Sequence, residues 1–298
     1  MSVKNIFITG AEGKIGTFLV KALSEERRYT LSLLSRANVD SDSGSVLVRH
    51  VKGDLCQAES YSSYLNGIDV VLHLGGVTHS NAGSKYYSVN SDATLHLIKA
   101  CEQTGVKRLI FLSSRTASKE GGDYSYSKLI AEKYVQESSL NWLIFRLSEV
   151  YGMNGSMGID GLLNSVNKLP FTIVIGDGKY LLNPVHILDV VSAITKAINN
   201  DGLNNKVYTL AGPKSLTYNH LIDIIYRFHG IKKVKVHIPV TIAKLALNTS
   251  GLLFNGRFAV KDQLPRLLVK KSDDISLAVK ELNFAPRCFK SELIHKYT

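Results

Sequence analysis

The sequence predicts an α/β protein: a doubly wound parallel sheet with a smaller C-terminal lobe. Three observations carry that expectation. Strand-like and helix-like segments alternate from residue 3 to about residue 152. Several strand-like segments are continuous apolar runs, the pattern of parallel strands covered by helices on both faces. The first strand runs straight into a turn built on three glycines and then into an amphipathic stretch. A length of 298 residues suits a main domain plus a lobe, and 45% apolar with 20% charged residues is ordinary for a soluble globular chain.

In chain order, Val3–Thr9 is rich in β-branched and aromatic residues and reads as the first strand. Gly10-Ala-Glu-Gly13-Lys-Ile-Gly16 forms the turn, and the amphipathic run it opens continues through Leu23. Tyr29–Arg36 alternates as a second strand that ends near Ser35. Val46–Val51, Val70–Leu74, Arg108–Leu112 and Trp142–Leu147 read as later strands, with helices around 57–66, 86–104 and 124–139. After Tyr151-Gly152 the composition loosens into Met-Asn-Gly-Ser-Met-Gly, which sets a boundary between residues 1–152 and 153–298. Val185–Ile187 and Val207–Leu210 look like strands and 189–199 like a helix, so segments near 185–211 are expected to return to the main sheet. A proline-started pattern from Pro239 suggests a helix through Leu247.

Strand, glycine turn and helix together give the turn a function. Gly10 permits a tight turn, Gly13 lets the backbone approach a pyrophosphate, and Gly16 allows the helix to pack closely on the sheet. The helix N-terminus then offers unpaired N–H groups and a positive dipole end to phosphates. Residues 1–152 are thus expected to be a Rossmann dinucleotide-binding domain and 153–298 a substrate-binding lobe. Gly10, Glu12, Gly13, Lys14, Ile15 and Gly16 are the candidate cofactor contacts of the turn. At the end of the second strand an acidic residue would hold a ribose 2′-OH, whereas arginine suits a 2′-phosphate. The chain has Ser35-Arg36 there and no carboxylate until Asp40, so NADP(H) is favoured over NAD(H), with a merely solvated Arg36 as the other reading.

Tyr124 and Lys128 stand one helical turn apart, so a helix would point the phenol and the ammonium from the same face. A phenol is a poor base at neutral pH, and a nearby cation favours its phenolate. The pair suits taking a proton from an alcohol or returning one to a ketone.

The net charge of +11 is uneven, with nine basic residues between Lys232 and Lys271 against the single acid Asp262. A solvated basic face, capture of a diphosphate, and contact with an anionic membrane surface compete to explain it. Peripheral membrane contact is the less favoured of these. No basic–aromatic module points to nucleic acid. Cys56, Cys101 and Cys288 are odd in number and widely spaced, which fits buried small hydrophobes in a reducing cytoplasm rather than disulfides or a metal site. No apolar run approaches the length of a membrane span, and no signal-peptide pattern opens the chain.

Together these residues resemble the extended short-chain dehydrogenase/reductase family, in its nucleotide-sugar epimerase/dehydratase branch. The resemblance rests on Thr9–Gly16, Gly53-Asp54-Leu55, Val71–Gly75, Asn90, Phe111-Leu-Ser-Ser114, Tyr124-x-x-x-Lys128 and Arg146 leading to Val150-Tyr-Gly152. Ile175–Gly178, Pro184–Asp189 and Lys280–Pro286 continue it. It implies that Ser114 hydrogen-bonds the reacting sugar oxygen, that Tyr124 is the acid/base, and that Lys128 holds the nicotinamide ribose. Asp54, with Leu55 beside it, would accept from the adenine amine, and Leu74-Gly75 would line the cofactor channel. Tyr151 would contact substrate, and Arg257 or Arg266 would meet its diphosphate. Ser113 is the alternative to Ser114, and His73 and Asn90 are expected to be satisfied buried polar groups.

The chain departs from the family in places. Only nine residues separate Ser114 from Tyr124, Leu147 replaces a frequent proline, and Leu182-Asn183 replaces an arginine–aspartate pair. Arg115-Thr116 follows Ser114 where 4,6-dehydratases carry an acidic pair, so dehydration is disfavoured. The resemblance then implies an enzyme for hydride transfer at C4 of a nucleoside-diphosphate sugar, foremost a UDP-sugar. It would be a 4-ketoreductase or a 4-epimerase, with room for a homodimer. The alternative is a catalytically silent dinucleotide-binding regulator of the same fold.

Overall fold

Phe7, flanked by Ile6 and Ile8, is wholly buried, as a strand with helices on both faces requires. In the computed structural model, which describes residues 3–37, 47–245, 263–269 and 271–295, this run is β1 (Lys4–Thr9). It is followed by β2 (Tyr29–Ser35), β3 (Val48–Lys52), β4 (Val70–His73), β5 (Arg108–Ser114), β6 (Asn141–Leu147) and, later in the chain, β11 (Lys206–Leu210). These seven strands form one sheet in the order β11–β6–β5–β4–β1–β2–β3. The pairs β3–β2, β2–β1, β1–β4 and β4–β5 are all parallel. The order reverses between β1 and β4, and the carboxyl ends of strands at such a point form the ligand crevice of an open α/β sheet.

Two compact units divide the chain: Met1–Arg146 with Val191–Tyr208, and Leu147–Val190 with Thr209–Thr298. In the first, α1 (Lys14–Ser24), α3 (Ala93–Thr104) and α4 (Gly122–Glu137) are the long helices. Phe7, Leu97, Phe111 and Ile144 are fully buried in one apolar cluster of this unit, each contributing about 1.5–3 kcal/mol. Arg108, 5% exposed, clamps the end of α6 (Ile187–Asn199) through Asp201 at 2.9 Å and the carbonyls of Asn200 and Leu203.

The helix expected over 57–66 is instead two short 3₁₀ turns, Ala58–Ser60 and Ser62–Leu65. Ser60 Oγ bonds back to the Gln57 carbonyl at 2.6 Å, the local competition that keeps serine-rich segments out of longer helices. The helix expected over 86–104 is broken into α2 (Gly83–Tyr86), a π-helical turn Tyr87–Asp92, and α3. The wide turn carries the buried Asn90, whose amide grips the backbone of Val77 through both its N–H and its carbonyl.

The second unit holds β7 (Val150–Tyr151), α5 (Gly158–Ser165), β8 (Phe171–Ile175), β9 (Leu181–Leu182), β10 (Val185–His186), β12 (Leu216–Thr217), α7 (Tyr218–Phe228) and β13 (Val234–Ile238). Three short helices follow: α8 (Gln263–Leu268), α9 (Ser276–Leu282) and α10 (Phe289–His295). Ile187 begins α6 rather than ending a strand. β8 and β13 pair in parallel over five residues each, and neither was legible in the sequence. Residues 240–245 are helical as Pro239 suggests; Ala246 and Leu247 lie outside the described residues. Among the described residues no helix is long and apolar enough to cross a membrane, and no group of three or more His, Cys, Asp or Glu side chains could hold a metal.

Candidate active site

The glycine turn is as tight as its sequence demands. Gly10 has φ +71°, and a Cβ there would lie 2.7 Å from the Gly75 nitrogen, so the loops after β1 and β4 meet backbone to backbone. A Cβ on Gly16 would lie 2.3 Å from the Gly10 carbonyl oxygen, while one on Gly13 would touch only that oxygen, at 3.1 Å. Gly13 is the N-cap of α1 and provides no side-chain cap, and the first turn carries no acid. The Gly13 N–H is taken by the Gly10 carbonyl at 3.0 Å, so the N–H groups of the uncapped first turn of α1 are the ones that offer themselves to an anion, and these residues fit a dinucleotide pyrophosphate. Lys14 is exposed and Ile15 half-buried at the same turn.

Around it, Leu74 is half-buried and its N–H donates to the Thr9 carbonyl at 3.1 Å. A Cβ on Gly75 would lie 2.8 Å from a Leu55 methyl, which places Leu55 at the same crevice. Asp54 Oδ1 accepts the Cys56 N–H at 2.9 Å, so this carboxylate is held by its own loop. Cys56 itself is exposed, contrary to the expectation that every cysteine is buried; Cys101 is buried and its thiol is pushed up to about 12 by desolvation. At the end of β2, Ser35 is buried and Arg36 is exposed. The Ser35 hydroxyl donates to the Glu12 carboxylate, a contact that sequence reading did not foresee.

Helix α4 presents Tyr124 and Lys128, 8% and 5% exposed, in successive turns. Tyr86 meets the Tyr124 ring edge-on at 5.8 Å and fixes its plane. The Lys128 ammonium donates to the Leu112 carbonyl at 3.0 Å and lies 4.7 Å from the Phe111 ring centre. Burial lowers its pKa to about 8, opposed by the Glu132 carboxylate. A Cβ on Gly76 would fall 3.3 Å from this ammonium, so the absent side chain keeps the space above Lys128 clear.

The two serines of β5 have different partners. Ser113 is buried and donates to Glu132 at 2.5 Å. Ser114 is half-buried and shares a hydrogen bond with Thr116 Oγ1 at 2.9 Å, and accepts the Thr116 N–H at 3.2 Å. Ser125 on α4 donates to the same threonine at 3.0 Å. Ser113 therefore serves the buried network, and Ser114 is the serine left at the surface of the unit. Glu132, 1% exposed, closes that network with Arg146 at 2.5 Å. Glu132 was not singled out in the sequence, and Thr116 was read there only as a departure from the dehydratases, because the partnerships of both depend on residues that only the fold brings together.

His73 and Asn90 are fully buried and bonded. His73 is spanned by Thr9 at 2.7 Å and Thr94 at 2.8 Å, and desolvation drives its pKa down to about 3, so it is a neutral strut. Asn90 also donates to Ser127 at 3.1 Å.

In the second unit Tyr151 is 2% exposed, packed edge-on against His186 at 5.1 Å and Phe289 at 4.9 Å. Among the described residues its hydroxyl has no hydrogen-bond partner, and it borders a cavity of about 130 Å³ shared with Asp160 and His186. Asp160 accepts the N–H groups of Gly152 and Met153 at 2.8 and 2.9 Å, shaping the loop that follows β7. Arg266 sits half-buried on α8, and Arg257 lies outside the described residues.

A glycine-rich βα turn at the sheet's switch point, and a Ser, Tyr and Lys set beyond it, define a nicotinamide-dinucleotide enzyme of the short-chain dehydrogenase/reductase type. Residues 6–211 match the NAD dependent epimerase/dehydratase family, and the chain belongs to that family. It is 26% identical to UDP-glucose 4-epimerase of Vibrio cholerae over 95% of this chain and 91% of that one. It is equally 26% identical to a decarboxylating sterol-4-alpha-carboxylate 3-dehydrogenase of Dictyostelium discoideum, over 92% of this chain and 98% of that one. The structure of UDP-glucuronic acid 4-epimerase from Bacillus cereus, in complex with UDP-glucuronic acid and NAD, shares the fold with a TM-score of 0.77 at 19% identity, covering 98% of this chain and 96% of that one. The resemblance to the nucleotide-sugar epimerase/dehydratase branch is thereby borne out, and the silent regulator is not favoured. A nicotinamide dinucleotide is the cofactor; the leaning towards NADP(H) finds no support in a family described as NAD dependent.

Proposed function

We propose that this enzyme transfers hydride at C4 of a nucleoside-diphosphate sugar, acting as a 4-epimerase that retains NAD through its cycle. The observation that supports this most is the convergence, in one unit, of Ser114, Tyr124 and Lys128 with an uncapped glycine turn. The bound cofactor would supply the hydride acceptor and donor. Tyr124 would take the proton from the C4 hydroxyl and return it, with Lys128 as the neighbouring cation that favours the phenolate. Ser114, its hydroxyl aimed by Thr116, would hold the same sugar oxygen. Lys128, whose pKa near 8 keeps it mostly cationic at neutral pH, would also hold the nicotinamide ribose. Arg266 or Arg257 would meet the diphosphate.

The V. cholerae relative is a UDP-glucose 4-epimerase, and the B. cereus neighbour was solved with a UDP-sugar and NAD, which makes UDP-sugars the first substrates to test. A 4-ketoreductase remains the second reading, since Arg36 at the end of β2 would suit NADPH. Arg115 and Thr116 are buried and neither is an acid, which weighs against a dehydratase.

The test is to incubate the enzyme with UDP-glucose and UDP-glucuronic acid without added cofactor, and to separate the C4 epimers by chromatography. Interconversion, reduced by about 10³-fold in Tyr124→Phe, is expected. Consumption of added NADPH with a 4-keto sugar, in place of interconversion, would establish the reductase. No change in any nucleotide sugar, with or without cofactor, would reject the proposed substrate class.

A further inference from the structure

No acidic residue closes β2: Arg36 and Ala37 follow Ser35, and the first carboxylate beyond them in the sequence is Asp40. A carboxylate nevertheless stands at that strand end. Glu12, from inside the glycine turn, reaches across so that its Oε1 accepts the hydroxyl of Ser35, the last residue of β2. The Ala37 N–H donates to Ser35 Oγ at 3.1 Å, and of the two acceptors within reach of the hydroxyl hydrogen the Glu12 carboxylate is the nearer and the Ala37 carbonyl, at 3.4 Å, the farther. Among the described residues Glu12 Oε2 has no hydrogen-bond partner, and both side chains stand at one end of a cleft of about 440 Å³ that runs along α1 past Val20 and Ser24 and also meets His50. Arg36 is exposed and makes no hydrogen bond or ion pair among the described residues.

We infer that Glu12, latched by Ser35, stands in for the missing acid of β2 and makes the site select NAD(H) against NADP(H). A carboxylate at the end of β2 accepts from a ribose 2′-OH. A 2′-phosphate offers no such donor and brings a charge of the same sign to an unpartnered carboxylate oxygen. The guanidinium of Arg36, solvated and screened, does not offset this as a latched ion pair would. The residue that decides cofactor choice therefore comes from the phosphate-binding turn, 23 residues before the position where sequence comparison looks for it.

The inference rests on the reading of the chain as a dinucleotide-binding enzyme, and its test needs no sugar substrate. Calorimetric titration of the whole apo chain with NAD⁺ and with NADP⁺ gives the ratio of the two dissociation constants. In the wild type NAD⁺ is expected to bind tighter by about tenfold or more, the size of one charged hydrogen bond. Glu12→Gln, at an exposed position that tolerates it, keeps an acceptor for Ser35 and removes the charge. It should lower the preference by about tenfold, and Ser35→Ala should lower it severalfold in the same direction. Arg36→Ala should weaken both cofactors alike. A ratio in Glu12→Gln within about twofold of wild type, or a larger change in Arg36→Ala than in Glu12→Gln, would overturn the assignment and leave the dinucleotide site standing. A wild-type chain that binds neither cofactor would overturn both.

Discussion

Glu132 lies beneath the proposed catalytic face of α4, and its removal has effects that can be worked out from its contacts. It is 1% exposed and collects three donors: Ser113 Oγ at 2.5 Å, Arg146 Nε at 3.0 Å and Arg146 Nη2 at 2.5 Å. It is also the group that raises the Lys128 pKa against burial. In Glu132→Gln one oxygen can still accept from Ser113, but an NH₂ then faces the guanidinium, donor against donor. Breaking one side of a buried pair costs about 3–5 kcal/mol. The Arg146 side chain is 32% exposed, so water partly compensates it, and the expected loss is about 2–3 kcal/mol. Urea unfolding at pH 7 of wild type, Glu132→Gln, Glu132→Leu, Arg146→Met and the double Glu132→Leu/Arg146→Met measures this. The double variant should recover most of the loss, because an apolar pair replaces an ionic one. A loss below about 0.5 kcal/mol in Glu132→Gln, or a double variant as unstable as the sum of its singles, would refute the reasoning.

Lys128→Met should change the pH dependence of stability in one direction. The native pKa near 8 lies below the unfolded value near 10.4, so the native state carries the full penalty of a buried cation below pH 8 and sheds it as pH rises to the unfolded pKa. Relative to wild type, the methionine variant should therefore be more stable at pH 7 than at pH 10.5, by roughly 3 kcal/mol, and a pH-independent difference in denaturation midpoints would contradict this. Gly16→Ala, whose Cβ would meet the Gly10 carbonyl at 2.3 Å, should lower both the melting temperature and NAD⁺ affinity. Gly13→Ala, with a single neighbour at 3.1 Å, should leave melting nearly unchanged and still weaken NAD⁺ in calorimetry, because the methyl occupies the phosphate's approach. Arg266→Ala should raise KM for the nucleotide sugar with little change in kcat, whereas Lys232→Ala should do neither; equal effects would make the basic lobe a diffuse surface.

How much of this was legible before folding varies with the range of the interaction. The glycine turn could be read because its causes lie within a few residues: the φ of Gly10 and the close approach at Gly16 are local steric facts. Tyr124 and Lys128 could be paired because helical periodicity alone brings them to one face. The helix over 86–104 could not be drawn correctly, since the π turn exists to carry Asn90 to Val77, a partner outside the segment. Strands β8 and β13 were missed for a related reason. They pair only with each other, 63 residues apart at Phe171 and Val234, and half-exposed two-stranded sheets leave a weak apolar signature.

The sequence by itself determined the fold class, the tight glycine turn and the pairing of Tyr124 with Lys128 on one helix face, because each follows from backbone sterics or from periodicity within one element. Tertiary structure alone decided which serine of Ser113-Ser114 stays clear of the buried ion pair, since that depends on Glu132 capturing the other. It also decided what stands at the end of β2. There the sequence shows only Ser35 and an arginine, and the carboxylate arrives from Glu12, brought across by the packing of the turn against the strand. Charge placed by a through-space contact has no signature along the chain, and the proposed preference for NAD over NADP rests on it.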